Sequence, residues 1–335
     1  MKKTQKLVGA HLLDVLLFTA TAVVLRTVAF LNDFNYTSGY FDGTLINVSN
    51  LLIMFACIIS AAALLLHRHI PKLKPNFQNP LVYIPAGAVS VALAFFAGST
   101  LHSAITDNAY SDGGTKVLSF ILSVLAIVSI AYFMFGNIKE GPRSPERGGL
   151  GLVLTVFFAL CAAQIYYSQS MPINSQIKSV DQITFAFVAV FFLFESRLSL
   201  NRDMWSGYIA FGGIAAALSA FSSIPTLVYY FVEGREAAAP ISESVLLLTV
   251  FALITARLVL LINLPEDKMC HTAEAVLLMS EKRQAQIEAA QNVRAHAILK
   301  NEESREELIP EETPDDNYTI NLEQIDILNL ENGDN

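Results

Sequence analysis

Charge is what this chain has least of. Asp, Glu, Lys and Arg make up 16% of its 335 residues, against about 25% in an ordinary soluble domain. Hydrophobic residues reach 53%, and the mean hydropathy is +0.46. A soluble globular fold is thereby excluded, and the lipid bilayer becomes the expected solvent. Cysteine is equally scarce. Cys57 and Cys161 fall inside apolar runs and Cys270 lies beyond them, so no pair is available for a disulfide framework.

Recognisable chemistry is missing as well. The six histidines are dispersed, and His67-Arg68-His69 lacks the helical spacing of a metal-binding pair. There is no G-x-S-x-G, no H-E-x-x-H and no phosphate-binding glycine loop. No metal, cofactor or nucleic acid is expected, and a membrane enzyme would need an unfamiliar site.

What the chain does have is long apolar runs. A bilayer core about 30 Å thick needs roughly 20 apolar residues per helix. Eight such windows stand out: Leu7 to Leu31, Leu45 to Leu66, Leu81 to Ser99, Lys116 to Phe135, Gly149 to Ser168, Gln182 to Leu198, Ser206 to Phe231 and Pro240 to Leu264. The expected fold is an all-α, polytopic membrane protein with about eight transmembrane helices and a cytoplasmic tail. Residues 1–264 form the transmembrane domain, 265–309 a cytoplasmic helix and 310–335 an acidic, disordered tail. A cleaved signal peptide over residues 1–22 competes with the first span, but the apolar run continues past Ala20-Thr21-Ala22 and Asp14 interrupts it.

Basic residues set the orientation. Lys2, Lys3 and Lys6 precede span one; Arg68, Lys72 and Lys74 follow span two; Lys139, Arg143 and Arg147 follow span four; Arg197 and Arg202 follow span six. The alternate loops carry only Lys116, Lys178 and Arg235. Basic residues near span ends resist translocation, so both termini are expected in the cytoplasm of a cell-membrane protein. Tyrosines such as Tyr36, Tyr110 and Tyr230 mark the opposite ends, where amphipathic rings favour the headgroup level. Asn35-Tyr36-Thr37 is a glycosylation sequon that matters only in a eukaryotic secretory pathway.

YIPAGAVSVALAFF from Tyr83 resembles YIAFGGIAAALSAF from Tyr208 at constant offset. A parallel repeat of four spans plus four follows as an expectation, with chance similarity of apolar helices as the alternative. Both segments are rich in small residues, which let helix backbones approach closely in lipid, so spans three and seven are expected to be central.

Span one carries Asp14 and Arg26, about 18 Å apart along a helix and unable to pair. Charges inside spans usually face the bundle interior with a partner of their own. Asp14 and Arg257 have similar depth and are expected to form a structural intramembrane ion pair, with Glu195 the rival partner for Arg257. Arg26 finds only the shallower Glu243 and Asp181. The outer halves also carry Asn47, Asn50, Ser99, Ser119, Gln164, Tyr166, Ser222 and Ser223. Convergence of Arg26, Asn47, Asn50, Gln164, Tyr166 and Glu243 would make a polar vestibule for a carboxylate or lipid phosphate, since a guanidinium is a forked donor of fixed charge. The alternative is an Arg26 that snorkels to the interface.

The expected function is non-enzymatic transport or binding of a small anionic or lipid-like ligand. The spans lack the dense carboxylate series of a proton-driven pump, which counts against coupled transport. Beyond Pro265, AEAVLLMSEKRQAQIEAAQ reads as a helix, and YTINLEQIDILNL at 318–330 is an apolar island in acidic sequence. That island suits docking on a cytoplasmic protein, which makes a scaffold or regulatory role the second class.

Overall fold

The computed structural model describes residues 2–36, 38–66, 80–106, 113–138, 145–167, 172, 175–200, 204–236, 240–262 and 288. Its elements in chain order are α1 (Lys2–Asn32), β1 (Phe34–Asn35), β2 (Tyr40–Phe41), α2 (Leu45–Leu66), α3 (Pro80–Thr106), α4 (Gly113–Ile138), α5 (Pro145–Tyr167), α6 (Gln176–Ser199), α7 (Trp205–Glu233) and α8 (Ile241–Ile262). All eight helices are long and apolar enough to cross a membrane. The protein is an all-α, polytopic membrane protein, as its composition requires.

The chain divides into two compact units, Met1–Ala273 and Glu274–Asn335. The expected cytoplasmic helix, the acidic tail and the island at 318–330 lie, apart from Glu288, outside the described residues, and so does Cys270.

Among the described residues α3 packs on α4, α4 on α5, α5 on α6, α6 on α7, α7 on α8, and α8 back on α3. Six helices thus close a ring, and α1 with α2 docks outside it against α7. The parallel four-plus-four arrangement does not describe this packing. The α2–α7 contact would require an equivalent one between α6 and α3, which is not among the substantial helix pairs. Of the two small-residue helices only α7 is central, touching α1, α2, α6 and α8, whereas α3 has two main neighbours.

Small side chains explain the place of α7. A Cβ added at Gly213 would come 2.2 Å from the Ser60 hydroxyl of α2, so any larger residue there would force that hydroxyl to move. Ser60 in turn donates to the Ala210 carbonyl at 2.9 Å. A Cβ at Gly151 of α5 would meet the Ser196 hydroxyl of α6 at 2.3 Å. Between helices with little hydrophobic drive to associate, such close approach supplies van der Waals contact.

The ring interior is filled rather than open. Phe96 meets Phe157 edge to face at 5.5 Å, Phe158 stacks on Phe192 at 5.4 Å, and Phe185 and Phe191 complete a buried aromatic core. Leu17, Leu65, Ile84, Val91 and Val117 instead lie exposed on the outside, where lipid tails are the natural contact.

Between α1 and α2 the chain makes a tight hairpin, with Phe34 opposite Phe41 and Asn35 opposite Tyr40. Gly39 takes φ 71° at its turn, a left-handed conformation that favours glycine. This marks the hairpin end of the bundle. The end of α6, the start of α7 and the start of α1 lie at the opposite end.

Candidate functional site

Two charged centres are buried in the helices, one toward each end. At the end opposite the hairpin, Arg257 of α8 forms an ion pair with Glu195 of α6, and the Tyr132 hydroxyl of α4 donates to the other carboxylate oxygen. Glu195 is 0% and Arg257 3% exposed. At Gly212 of α7 an added Cβ would press on Phe191 of α6 and Leu258 of α8 at 3.2 and 3.3 Å, so α7 packs closely against both helices that carry the pair.

This corrects the expected Asp14–Arg257 pair. Asp14 lies on an exposed face of α1 beside Leu13 and Leu17, and α1 barely touches α8 because α7 stands between them. Equal depth was insufficient; angular position decided the partner. Asp14 sits about 8 Å from the start of the apolar stretch at Gly9.

The second centre is built around Arg26, near the hairpin end. Its side chain is 1% exposed, and none of its three guanidinium nitrogens has a hydrogen-bond partner among the described residues. The guanidinium instead lies over the ring of Phe221 on α7, 4.2 Å from the centroid, with Phe30 one turn away at 5.6 Å. Stacking of this kind suits a weakly hydrated, delocalised cation and contributes about 2 kcal/mol when desolvated. It cannot supply the in-plane hydrogen bonds that five N–H groups require.

Carboxylates stand close by. Asp181 of α6 accepts a hydrogen bond from the Ser222 hydroxyl, the residue after Phe221, so Arg26 and Asp181 bracket consecutive positions of α7. They are within Coulombic range of each other without forming a direct ion pair. Glu243, in the first turn of α8, is in Coulombic range of Asp181. Asp181 belongs to the span rather than preceding it. Helix α6 starts at Gln176, six residues before the expected Gln182, because Ser175 caps it by accepting from the Lys178 amide at 3.2 Å.

Local backbone chemistry adds acceptors here. Pro225 inside α7 has no N–H, so the Phe221 carbonyl loses its usual donor four residues on. Ser223 and Thr226 return their hydroxyls to the Ser219 and Ser222 carbonyls at 2.6 and 2.9 Å. A cap of rings covers the centre on the hairpin side. Phe30 and Phe34 touch each other and both Phe41 and Tyr229, at centroid distances of 5.0 to 5.9 Å.

The expected vestibule therefore assembles only in part. Arg26 and Glu243 share the region, joined by Asp181. Asn50 lies about 8 Å into α2, a depth close to the roughly 9 Å of Arg26 from the end of α1, and its buried side-chain oxygen has no hydrogen-bond partner. Asn47 is exposed on the outside of α2. Gln164 reaches Ser119 of α4 at 3.4 Å, on the side of the ring away from α1, and Tyr166 is exposed against Tyr167. Sequence reasoning counted Ser222 among the outer polar residues without pairing it with Asp181, and it missed Phe221, whose apolar ring carries no polar signal.

Among the described residues no group of three or more His, Cys, Asp or Glu side chains is placed to hold a metal ion. No protein-family model matches the chain, and no curated protein or solved structure matches it either.

Proposed function

We propose that this protein binds a small anionic ligand at Arg26, as a non-enzymatic transport or binding protein of the cell membrane with both termini in the cytoplasm. One observation carries the reading: a permanently charged guanidinium, 1% exposed, with three nitrogens lacking hydrogen-bond partners. A buried charge costs several kcal/mol unless it is paired and hydrogen-bonded. Stacking on Phe221 offsets part of this, and a forked acceptor such as a carboxylate or phosphate would offset the rest. The orientation follows from the basic loops, which would leave the hairpin and Arg26 toward the exterior.

The test is thermal unfolding in nanodiscs. A ligand at about 100 times its Kd stabilises by about 2.7 kcal/mol. Acetate in the aqueous phase should raise the Tm if the occupant is a soluble carboxylate. Phosphatidylglycerol in the disc should do so instead if it is a lipid phosphate. Either effect should vanish in Arg26→Gln, and equal stabilisation of wild type and variant would refute the proposal.

A further inference from the structure

Resting on that reading, we infer that the anionic group bound at Arg26 is one end of a zwitterion, whose ammonium is held by Asp181 of α6. Both side chains are buried, at 1% and 5% exposure. Two apolar clusters fix them at one level. On the hairpin side Phe30 of α1, Ile177 of α6 and Tyr229 of α7 pack together. Toward the middle of the bundle Val23 of α1 and Phe221 of α7 share a second cluster, with Val180 of α6 packed against it. Arg26 lies between Val23 and Phe30 on its helix, and Asp181 adjoins Val180 one turn beyond Ile177. Both therefore belong to a polar layer between the clusters, and both rest on α7, at consecutive residues Phe221 and Ser222.

Each member of this layer has unused bonding capacity. None of the three guanidinium nitrogens is hydrogen-bonded among the described residues, and the Phe221 ring, 4.2 Å away, engages only the face of the group. A carboxylate offers about four acceptor sites, and the Ser222 hydroxyl fills one of them at Asp181. Among the described residues the arginine and the aspartate do not bond each other. At the opposite end of the same bundle Arg257 and Glu195 pair directly. An arginine and an aspartate kept apart at one level leave their in-plane donors and remaining acceptors for a third group between them.

Charge decides what that group is. Arg26 and Asp181 together carry no net charge. A simple anion at Arg26 would add a negative charge beside Asp181, where repulsion is strong at short range and weakly screened. A molecule bearing both signs keeps the layer neutral. It gives the guanidinium a forked acceptor and gives Asp181 a charge-assisted donor. Binding of this kind forms no covalent bond and moves no proton. A free amino acid and an ethanolamine lipid headgroup share the chemistry, an anionic group with an ammonium a few bonds away.

The experiment is isothermal titration calorimetry on the full chain in nanodiscs, comparing amino acids with hydroxy acids of equal length. The pairs are glycine with glycolate, β-alanine with β-hydroxypropionate, and γ-aminobutyrate with γ-hydroxybutyrate. At least one amino acid should bind about tenfold tighter than its hydroxy acid, the worth of one charge-assisted hydrogen bond. That advantage should vanish in Asp181→Asn, and binding of both members should vanish in Arg26→Gln. If the occupant is a lipid headgroup, phosphatidylethanolamine in the disc should raise Tm more than phosphatidylglycerol, with the same dependence on Asp181 and Arg26. The wild-type comparison decides the matter even where Asp181→Asn fails to fold. Arg26-dependent binding with no preference for the ammonium in either series overturns the zwitterion and leaves the anion site standing. A preference that survives Asp181→Asn also overturns it. Absence of Arg26-dependent binding in every series overturns both proposals.

Discussion

The Arg257–Glu195 pair allows the strongest test of how charge is held in this bundle. Arg257→Met leaves a carboxylate that is 0% exposed beside the Tyr132 hydroxyl, and Glu195→Gln leaves a guanidinium that is 3% exposed. Stranding one member of a buried pair costs about 3 to 5 kcal/mol. The double variant strands neither, and the Gln carbonyl can still accept from Tyr132, so its cost should fall to about 1 kcal/mol. The two singles together cost roughly 6 to 10 kcal/mol, which makes the coupling energy at least about 5 kcal/mol. Hydrogen bonds between membrane helices average about 0.6 kcal/mol in such cycles, so a coupling this large identifies charge rather than hydrogen bonding as its source. The assay is reversible unfolding in mixed micelles followed by tryptophan fluorescence. Trp205, the single tryptophan, is buried at the start of α7 with Tyr208 at 6.0 Å, close to the altered centre. Additive single variants, with coupling below about 0.5 kcal/mol, would refute the reasoning.

Other substitutions probe the packing and the corrected pairing. Gly213→Val should cost about 1 to 3 kcal/mol and loosen α2 from α7, seen as faster hydrogen exchange in α2, because a side chain there would force the Ser60 hydroxyl to move. Asp14→Leu should change unfolding stability by less than about 0.5 kcal/mol and show no coupling to Arg257→Met, since Asp14 is exposed on α1. Phe221→Leu should weaken the hold on Arg26 and lower Tm by the equivalent of about 2 kcal/mol, more than Phe231→Leu, whose ring is exposed. Truncation after Pro265 should abolish capture of any cytoplasmic partner that recognises residues 318–330; affinity purification from native membranes checks it, and undiminished capture removes the tail from consideration.

The spans were legible because lipid imposes a length and a polarity on each helix. Leu45 to Leu66 matches α2 at both ends. Where the reading fell short, tertiary contacts had supplied what local polarity lacked. Lys178 and Asp181 made the start of α6 look like loop, yet a serine cap and the Ser222 hydroxyl make it helix. Depth along a helix can be counted from sequence, and it gave Asp181 and Glu243 as the nearest acids to Arg26, both shallower. Angular position cannot be counted until the neighbours are known. That is why Arg257 turned to Glu195 rather than Asp14, and why Gln164 and Tyr166 proved to face elsewhere. The similarity of spans three and seven likewise reflected a shared need for small residues, met at the centre by α7 and at one edge by α3.

Closure of the ring by α3 against α8 has a consequence in time. Ser99 and Ser242, joined across that seam, are 143 residues apart in the chain. At a synthesis rate of about 5 to 20 residues per second, α3 waits roughly 7 to 30 s for the helix that completes its packing. During that interval α4 is its only main partner, and the face destined for α8 must be shared with lipid or with the insertion machinery. Cysteines placed at 99 and 242 should crosslink only in nascent chains long enough to release α8 from the ribosome. The eighth span is thus the one that turns an open row of helices into a closed bundle.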